Sequence, residues 1–307
     1  MLKRKDLLEI KSLTEDEILS IIHTAKDMKK RIDNSCLRGD ELKNKSVVTL
    51  FYENSTRTKM SFMLAADYLG AKPEDLGIAT SSVSKGESLI DTGITLDQMG
   101  INAMIIRHSF TGASHLLAKS VNASVINAGD GSNEHPTQAL LDMYSILEEK
   151  GKIDGLNVAI IGDIANSRVA RSNVFGLTKL GANVTLAGPS TLVSKNMETL
   201  AKNVKVVNNI EEGIKEADVI MGLRVQFERQ KKMPFPNTSE YHQIFGLKQD
   251  MLNLAKDDVT IMHPGPVNRG VELSTEVIDG KSSIINEQVK NGVAVRMAIL
   301  KLLLENK

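Results

Sequence analysis

The sequence is short of everything that announces a special environment. It holds one cysteine, no tryptophan, 7 prolines and only 4% aromatics in 307 residues. The lone Cys36 excludes an intrachain disulfide, and without a Cys/His cluster a structural zinc site is not expected. Neither sign of charge is in excess, with 38 Lys+Arg against 38 Asp+Glu. A net charge of zero exerts no overall pull toward nucleic acid or an anionic membrane, so neither is expected as a partner. No apolar run approaches the ~20 residues that a bilayer requires. The opening MLKRKDLLEI carries charges where a signal peptide would need an apolar stretch. A cytoplasmic protein is therefore expected.

What is present is ordinary in amount and regular in arrangement. The chain is 41% hydrophobic and 25% charged, as globular proteins are. Its length exceeds the roughly 250 residues at which one core stays efficient, which predicts two domains. Short β-branched runs alternate with helical stretches, a pattern that argues for parallel sheets covered by helices. The expected strands are Ser46–Tyr52, Ala103–Arg107 and Ser124–Ala128, then Asn157–Ile161, Asn183–Ala187, Lys205–Asn208, Asp218–Leu223 and Val259–His263. Helices are expected between them, for instance Thr56–Leu69, Pro136–Lys150, Arg168–Leu180 and Ile210–Glu216. Val289, Val293, Met297, Leu300 and Leu304 have the spacing of one amphipathic helix over Asn286–Leu304. The GKIDG segment at Gly151–Gly155 separates the two series. The expected fold is α/β, with two doubly wound domains, each a parallel sheet flanked by helices. The domains would span 1–150 and 151–285, with the C-terminal helix 286–305 packing back on the first.

In open parallel sheets, ligands bind beyond the carboxyl ends of the strands, so the polar residues just after each strand are the candidates. Glu53-Asn54-Ser55-Thr56-Arg57-Thr58 follows the first. Ser55 suits the N-cap of the next helix, whose first N–H groups lack intrahelical acceptors. Those donors, the Thr56 and Thr58 hydroxyls and the Arg57 guanidinium would together form an anion site of phosphate size. Capping alone accounts for the hydroxyls, but Arg57 opposes the helix dipole unless an anion intervenes. Arg107-His108 ends the next run, where an arginine can also merely snorkel to solvent. His135 and Gln138, three apart around Pro136, can share the face of a helix start. Such a histidine either caps the helix or donates to a carbonyl oxygen, while glutamine offers both donor and acceptor to an amide. Lys85 sits in the small-residue loop Ser81–Ser88, where mobility is expected.

In the second half, Gly162–Arg168 occupies the place of a dinucleotide fingerprint but lacks G-x-G-x-x-G, which weighs against a nucleotide-dependent dehydrogenase. Arg168 again stands at a helix start. Arg224-Val225-Gln226 follows another strand and leads into Phe227–Tyr241, read as a long functional loop. His263-Pro264-Gly265-Pro266-Val267 is a stiff turn whose prolines supply no N–H donors. The sum is two groups of cations at strand ends, one per domain, expected to face a cleft. Arg57 and Arg107 suit a phosphate, whereas Arg168 and Arg224 suit carboxylates. No nucleophile–base pair stands out, so the chemistry expected is positioning and electrostatic stabilisation.

The motifs stand in one order along the chain. They are F-x-E-x-S-T-R-T at Phe51–Thr58, S-x-x-x-K-G-E at Ser81–Glu87, the Arg107-His108 pair and H-P-T-Q at His135–Gln138. G-D-x-x-x-S-R-V at Gly162–Val169, L-R-V-Q-x-E-R at Leu223–Arg229 and H-P-G-P-V-N-R at His263–Arg269 follow. Together they resemble the aspartate/ornithine carbamoyltransferase family. The resemblance implies transfer of a carbamoyl group from carbamoyl phosphate to the α-amino group of L-aspartate, an early step of de novo pyrimidine biosynthesis. By the same match Ser55, Thr56, Arg57 and Thr58 bind the phosphate, and Thr58, Arg107 and His135 polarise the carbonyl oxygen. Gln138 and the turn at Gly265, Pro266 and Val267 hold the carbamoyl NH₂. Arg168, Arg224 and Gln226 match aspartate-binding positions, and Glu53 matches a residue that locks the closed domains. Lys85 matches a loop lysine that enters the neighbouring site of a homotrimer, which regulatory chains may join in this family. Residues 1–150 would be the carbamoyl phosphate domain and 151–285 the aspartate domain, and no cofactor is implied.

Two alternatives remain within that resemblance. An ornithine carbamoyltransferase typically carries H-C-L-P in the late turn and an S-M-G segment, and this sequence has neither. Arg224 would also repel ornithine's side-chain ammonium. An inactive homologue serving as a scaffold would have no need of polar residues at every motif. Lys59 and Met63 depart from the family's usual residues, which bears on packing beyond the phosphate turn.

Overall fold

A computed structural model describes residues 2–226 and 237–305, so Phe227–Pro236, including Arg229, lies outside the described residues. Contacts divide the chain into two compact units, Met1–Tyr144 with Val289–Lys307, and Ser145–Gln288.

The first unit is built on β1 (Ser46–Phe51), β2 (Lys72–Leu76), β3 (Ala103–His108) and β4 (Ser124–Asp130), all parallel, in the order β2-β1-β3-β4. Helices α1 (Glu15–Asp33), α2 (Thr56–Tyr68), α3 (Leu89–Gln98) and α4 (Ala113–Ala118) belong to it, and α5 (Pro136–Lys150) begins in it. Val48, Leu50, Met104, Ile106 and Val125 are buried under Leu117 of α4, which is why these strands read as continuous apolar runs. At the β4 edge Leu7 pairs in parallel with Ile126, covering groups that would otherwise stay unpaired.

Strand β2 was not expected, and its sequence KPEDL shows why. It is an edge strand with a half-exposed, charged pattern and a proline, which only an edge tolerates. Tertiary contacts hold it: the carboxylate of Asp75 accepts from Thr49 Oγ1 at 2.6 Å and from Lys59 Nζ at 2.5 Å. Lys59 thus fastens the edge of the sheet.

The second unit contains β5 (Asn157–Gly162), β6 (Asn183–Ala187), β7 (Val204–Val207), β8 (Val219–Leu223) and β9 (Thr260–Met262), parallel in the order β7-β6-β5-β8-β9. Its helices are α6 (Arg168–Lys179), α7 (Ile210–Ile214), α8 (Thr238–Phe245) and α9 (Thr275–Ile278). The core gathers Ala159, Ile161, Ile220 and Ile261 from the sheet with Ile210 and Ile214 from α7. The final helix, α10 (Ile285–Leu304), departs from the amphipathic expectation. Every residue from Ala294 to Leu300 is buried, whereas Val289, on the expected apolar stripe, is 52% exposed. A helix enclosed on all sides needs apolar residues all round, and the polar exception, Arg296, is itself buried. No helix among the described residues is long and apolar enough to cross a membrane.

Candidate active site

In the first unit the strand order reverses direction between β1 and β3, the place where open parallel sheets leave a crevice. Phe51 at the end of β1 is in register with Arg107, and Tyr52 N–H donates to the Arg107 carbonyl at 2.9 Å. The register of β3 against β4 shifts between Ile106 and His108, an irregularity of the kind that re-aims side chains at sites. Arg107 Nη1 donates to the Ala128 carbonyl at 3.3 Å, and its Nε lies 3.7 Å from Glu53. Glu53 therefore neighbours an arginine of its own unit.

Ser55 occupies the N-cap of α2, as expected, but its hydroxyl makes no capping bond. The contrast is internal. In α1, α3, α6, α7, α8 and α9 the N-cap Ser, Thr or Asn accepts from the first turn. At α2 the hydroxyl stays outside the capping scheme, Thr56 and Arg57 are exposed, and the first turn carries no acid. Thr58 is buried just behind them. That combination is what an anion at the helix N-terminus would use.

The segment after β4 is held rigidly. Asp130 accepts from Asn127 Nδ2 at 2.8 Å, Gly112 N at 2.7 Å and Glu134 N at 3.2 Å. Glu134 in turn accepts from Ile10 N at 2.7 Å. His135, buried at the start of α5, accepts at its carbonyl from Gln138 N at 3.1 Å, so its backbone caps the helix. Gln138 Nε2 donates to Asp142 Oδ1 at 2.9 Å, which leaves Oε1 and the second N–H of Nε2 as groups to offer a ligand. On the other side of β1, the chain after β2 is less loose than expected. It forms two 3₁₀ turns, Ile78–Thr80 and Ser82–Lys85, with Ser81 Oγ donating to Ile78 O at 2.9 Å and Ser84 Oγ to Ser81 O at 2.7 Å. Lys85 stands exposed at their end. Ser55–Thr58, Lys85 and His135 thus follow the carboxyl ends of β1, β2 and β4, and Arg107 is the last residue but one of β3, in the same sheet.

In the second unit the order reverses between β5 and β8, where Gly162 is in register with Leu223. Gly162 has φ +120°, and a Cβ there would meet the Leu223 carbonyl at 2.5 Å, so only glycine lets the two strand ends converge. Asp163, just beyond, is fully buried and accepts from Asn166 Nδ2 at 2.9 Å and from Gln226 N at 3.3 Å. Gln226 Nε2 donates to Asn166 O at 3.1 Å. Val225 packs with Leu192 and Tyr241, so Arg224 and Gln226 on either side of it are only partly buried. Arg168 opens α6 and is 4% exposed. A buried guanidinium at the positive end of a helix calls for an anion. Among the described residues, no group of His, Cys, Asp and Glu is arranged to hold a metal ion.

These arrangements were compared with known proteins. The domain described as "Aspartate/ornithine carbamoyltransferase, carbamoyl-P binding domain" matches residues 5–148, and the "Asp/Orn binding domain" of the same family matches residues 154–303. The chain belongs to the aspartate/ornithine carbamoyltransferase family. It is 58% identical over 303 residues to the aspartate carbamoyltransferase catalytic subunit of Acetivibrio thermocellus, covering 99% of this chain and 96% of that protein. It is 57% identical over 302 residues to that of Ruminiclostridium cellulolyticum, covering 98% and 96%. Among solved structures it resembles aspartate transcarbamoylase from Trypanosoma cruzi with carbamoyl aspartate and phosphate, at TM-score 0.90 and 30% identity, covering 99% and 97% of the two chains. Ornithine carbamoyltransferase from Pyrococcus furiosus superposes at TM-score 0.87 and 30% identity, covering 97% and 96%. The carbamoyltransferase fold alone therefore does not choose the acceptor.

Reading this carbamoyltransferase-family sequence by itself missed the residues that hold the others. Asp142 lies beside one quoted motif and Asp163 within another, yet nothing in their spacing says that the Gln138 side chain and the Gln226 backbone bind to them. The late turn is held from both ends: Gly265 N donates to His263 Nδ1 at 2.8 Å, and Asn268 N donates to Glu272 at 2.6 Å. His263 Nε2 lies 3.4 Å from the same Glu272, with both side chains buried. The Gly265–Pro266 peptide is cis.

His108 gives a pH-dependent expectation. Its Nδ1 accepts from Phe110 N at 3.0 Å, and its ring centroid lies 4.7 Å from that of Tyr52. Burial pushes its pKa down, opposed by the charges of Glu53 and Asp130. The unfolded chain, titrating near about 6.5, then takes up the proton first. This contribution to stability is whole above that pH and is lost as pH falls through the lower folded value. An NMR titration should place the His108 midpoint below about 6.5; a midpoint at or above it would contradict the neutral acceptor at Nδ1.

Proposed function

We propose that this chain transfers the carbamoyl group of carbamoyl phosphate to the α-amino group of L-aspartate, giving N-carbamoyl-L-aspartate and phosphate. The observation that carries the reading is the β1–β3 switch point. There an N-cap hydroxyl outside the capping scheme, an arginine in the first helical turn and a second arginine in register with Phe51 lie together. The aspartate acceptor is supported by the second unit, where Arg168 and Arg224 offer two cations, and by the names of relatives more than half identical over nearly the whole chain.

Residues 1–150 with the C-terminal helix take carbamoyl phosphate, and residues 151–285 take aspartate. Ser55, Thr56, Arg57 and Thr58 hold the phosphate. Thr58, Arg107 and His135 donate to the carbonyl oxygen and stabilise the negative charge that develops on it. Gln138 accepts from the carbamoyl NH₂ through Oε1, and the backbone of Gly265, Pro266 and Val267 offers acceptors of the same kind. Arg168 and Arg224 pair with the aspartate carboxylates, assisted by Lys85. Gln226 gives one N–H of Nε2 to Asn166 O, its second N–H suits a carboxylate, and its oxygen suits an amino group. The neutral α-amino nitrogen attacks the carbonyl carbon and the C–O bond to phosphate breaks. The departing phosphate, neutralised by Arg57 and Lys85, accepts the amine proton, so no protein base and no cofactor are required.

The working assembly in this reading is a cytoplasmic homotrimer in which the exposed Lys85 enters the neighbouring site, with regulatory chains as an optional addition. The test combines an activity screen, carbamoyl phosphate with either aspartate or ornithine, with a native mass measurement. Carbamoyl aspartate formation by a species of three chains, or a multiple of three, is expected. Citrulline as the main product, or no product from either acceptor, would overturn the activity; a monomer active at full rate would overturn the shared site.

A further inference from the structure

The late turn of the second unit is tied to one buried pair of side chains. Pro264 and Pro266 supply no N–H, so the donors up to Asn268 belong to Gly265, Val267 and Asn268. Gly265 N donates to His263 Nδ1 at 2.8 Å and Asn268 N to Glu272 Oε1 at 2.6 Å, and that same oxygen lies 3.4 Å from His263 Nε2. The contacts therefore run from one end of the turn to the other through the imidazole and the carboxylate. The residues are also fixed from outside the turn. His263 N donates to Gln288 Oε1 at 2.9 Å, and a Cβ on Gly222 of β8 would come within 3.2 Å of His263 Cδ2, so the ring lies close against that strand. The Glu272 carbonyl accepts from Leu247 N at 3.0 Å. Gly265 has φ +64°, a conformation that glycine enters and leaves freely, so a contact must hold it there.

A ring nitrogen that accepts a hydrogen bond carries no proton. Nδ1 accepts from Gly265, so the proton of the imidazole sits on Nε2, the nitrogen that faces Glu272. A carboxylate oxygen 3.4 Å from Nε2 favours that tautomer over the other, in which Nδ1–H and the Gly265 N–H would meet donor to donor. We infer that His263 and Glu272 are a positioning pair for the turn. The carboxylate keeps the imidazole in the Nε2–H form and holds Asn268, the imidazole holds Gly265, and the carbonyl groups between them stay aimed at an NH₂ group. This rests on the proposed role of Gly265, Pro266 and Val267 as acceptors for the carbamoyl NH₂. The consequence is selection: a pair acting in this way separates a donor that bears NH₂ from one of the same shape that bears a methyl group.

The test compares carbamoyl phosphate with acetyl phosphate, in which a methyl group replaces NH₂, as a competitive inhibitor. His263→Leu should raise the carbamoyl phosphate KM by about tenfold, the scale of one lost hydrogen bond, and leave the acetyl phosphate Ki within about twofold. His263→Asn should stay within about threefold of the wild type for both, because an Asn side-chain oxygen also accepts from the N–H two residues on. Glu272→Met should reproduce the selective loss. Combined with His263→Leu it should cost no more than the larger single effect, since both act through one turn. Equal weakening of both ligands, effects that multiply, or a lower melting temperature with both constants unchanged would each overturn the inference while the role of the turn stands. A wild type that binds the two acyl phosphates equally would remove that role first and this inference with it. Should the variants fail to fold, nitrogen NMR of the wild-type protein decides. A proton on Nε2 of His263 is expected, and a proton on Nδ1 overturns the pair.

Discussion

Arg57→Ala should lower kcat by ~10²–10³ while leaving the melting temperature unchanged or slightly raised. The two effects have opposite signs because the residue is badly placed for folding and well placed for an anion. It lies exposed in the first turn of α2, where the positive end of the helix disfavours a cation by ~0.3–1 kcal/mol. Deleting a charge that merely decorates the surface would change neither rate nor affinity. Deleting one that neutralises a departing phosphate removes stabilisation present mainly in the transition state, so kcat falls more than KM rises. Steady-state kinetics and a thermal melt on the same preparation decide the matter. A kcat within a few-fold of the wild type would dismiss the phosphate site at α2.

Arg224→Leu should raise the aspartate KM by ~10–100-fold, the value of a charge-assisted hydrogen bond, with the carbamoyl phosphate KM little changed. The fold should tolerate it. Val225 is the residue that packs into the cluster with Leu192 and Tyr241, while Arg224 remains partly exposed. Leucine keeps the aliphatic bulk and removes the guanidinium, so a rise in KM cannot be attributed to a collapsed strand end. The same variant should also bind ornithine less poorly, since the repelling charge is gone. An unchanged aspartate KM would mean that another cation receives the second carboxylate.

These two arginines were legible in the sequence because each follows an apolar run of a parallel sheet, where ligands bind. The same logic put Arg107, His135, Gln138 and Arg168 among the candidates. It failed where the determinant is a partner distant in sequence. Strand β2 is the clearest case: KPEDL has no apolar alternation, and it is a strand because Thr49 and Lys59 hold Asp75 at the sheet edge. The Lys85 loop is another, since small residues suggested mobility whereas serine hydroxyls close two successive turns. Ser55 shows the converse. Its position predicted a cap, and only its place at the switch point shows the hydroxyl outside the capping scheme.

The sequence by itself determined the α/β class, the strand-end cations and, through the order of its motifs, the family. Those properties are local or repeat along the chain, and hydrophobic periodicity and short motifs record them directly. The tertiary structure alone decided which way each amide points. Gln138 faces Asp142 with its nitrogen, Gln226 faces Asn166 with its own, and Arg296 lies buried in the last helix beside Phe62. The physical reason is that a hydrogen bond has a direction set by its partner, and a buried charge has an effect set by its surroundings. Neither partner nor surroundings is encoded at the position of the residue itself. A neutral chain with a few scattered arginines becomes a candidate enzyme only when two sheets, each reversing its strand order, bring those arginines to strand ends.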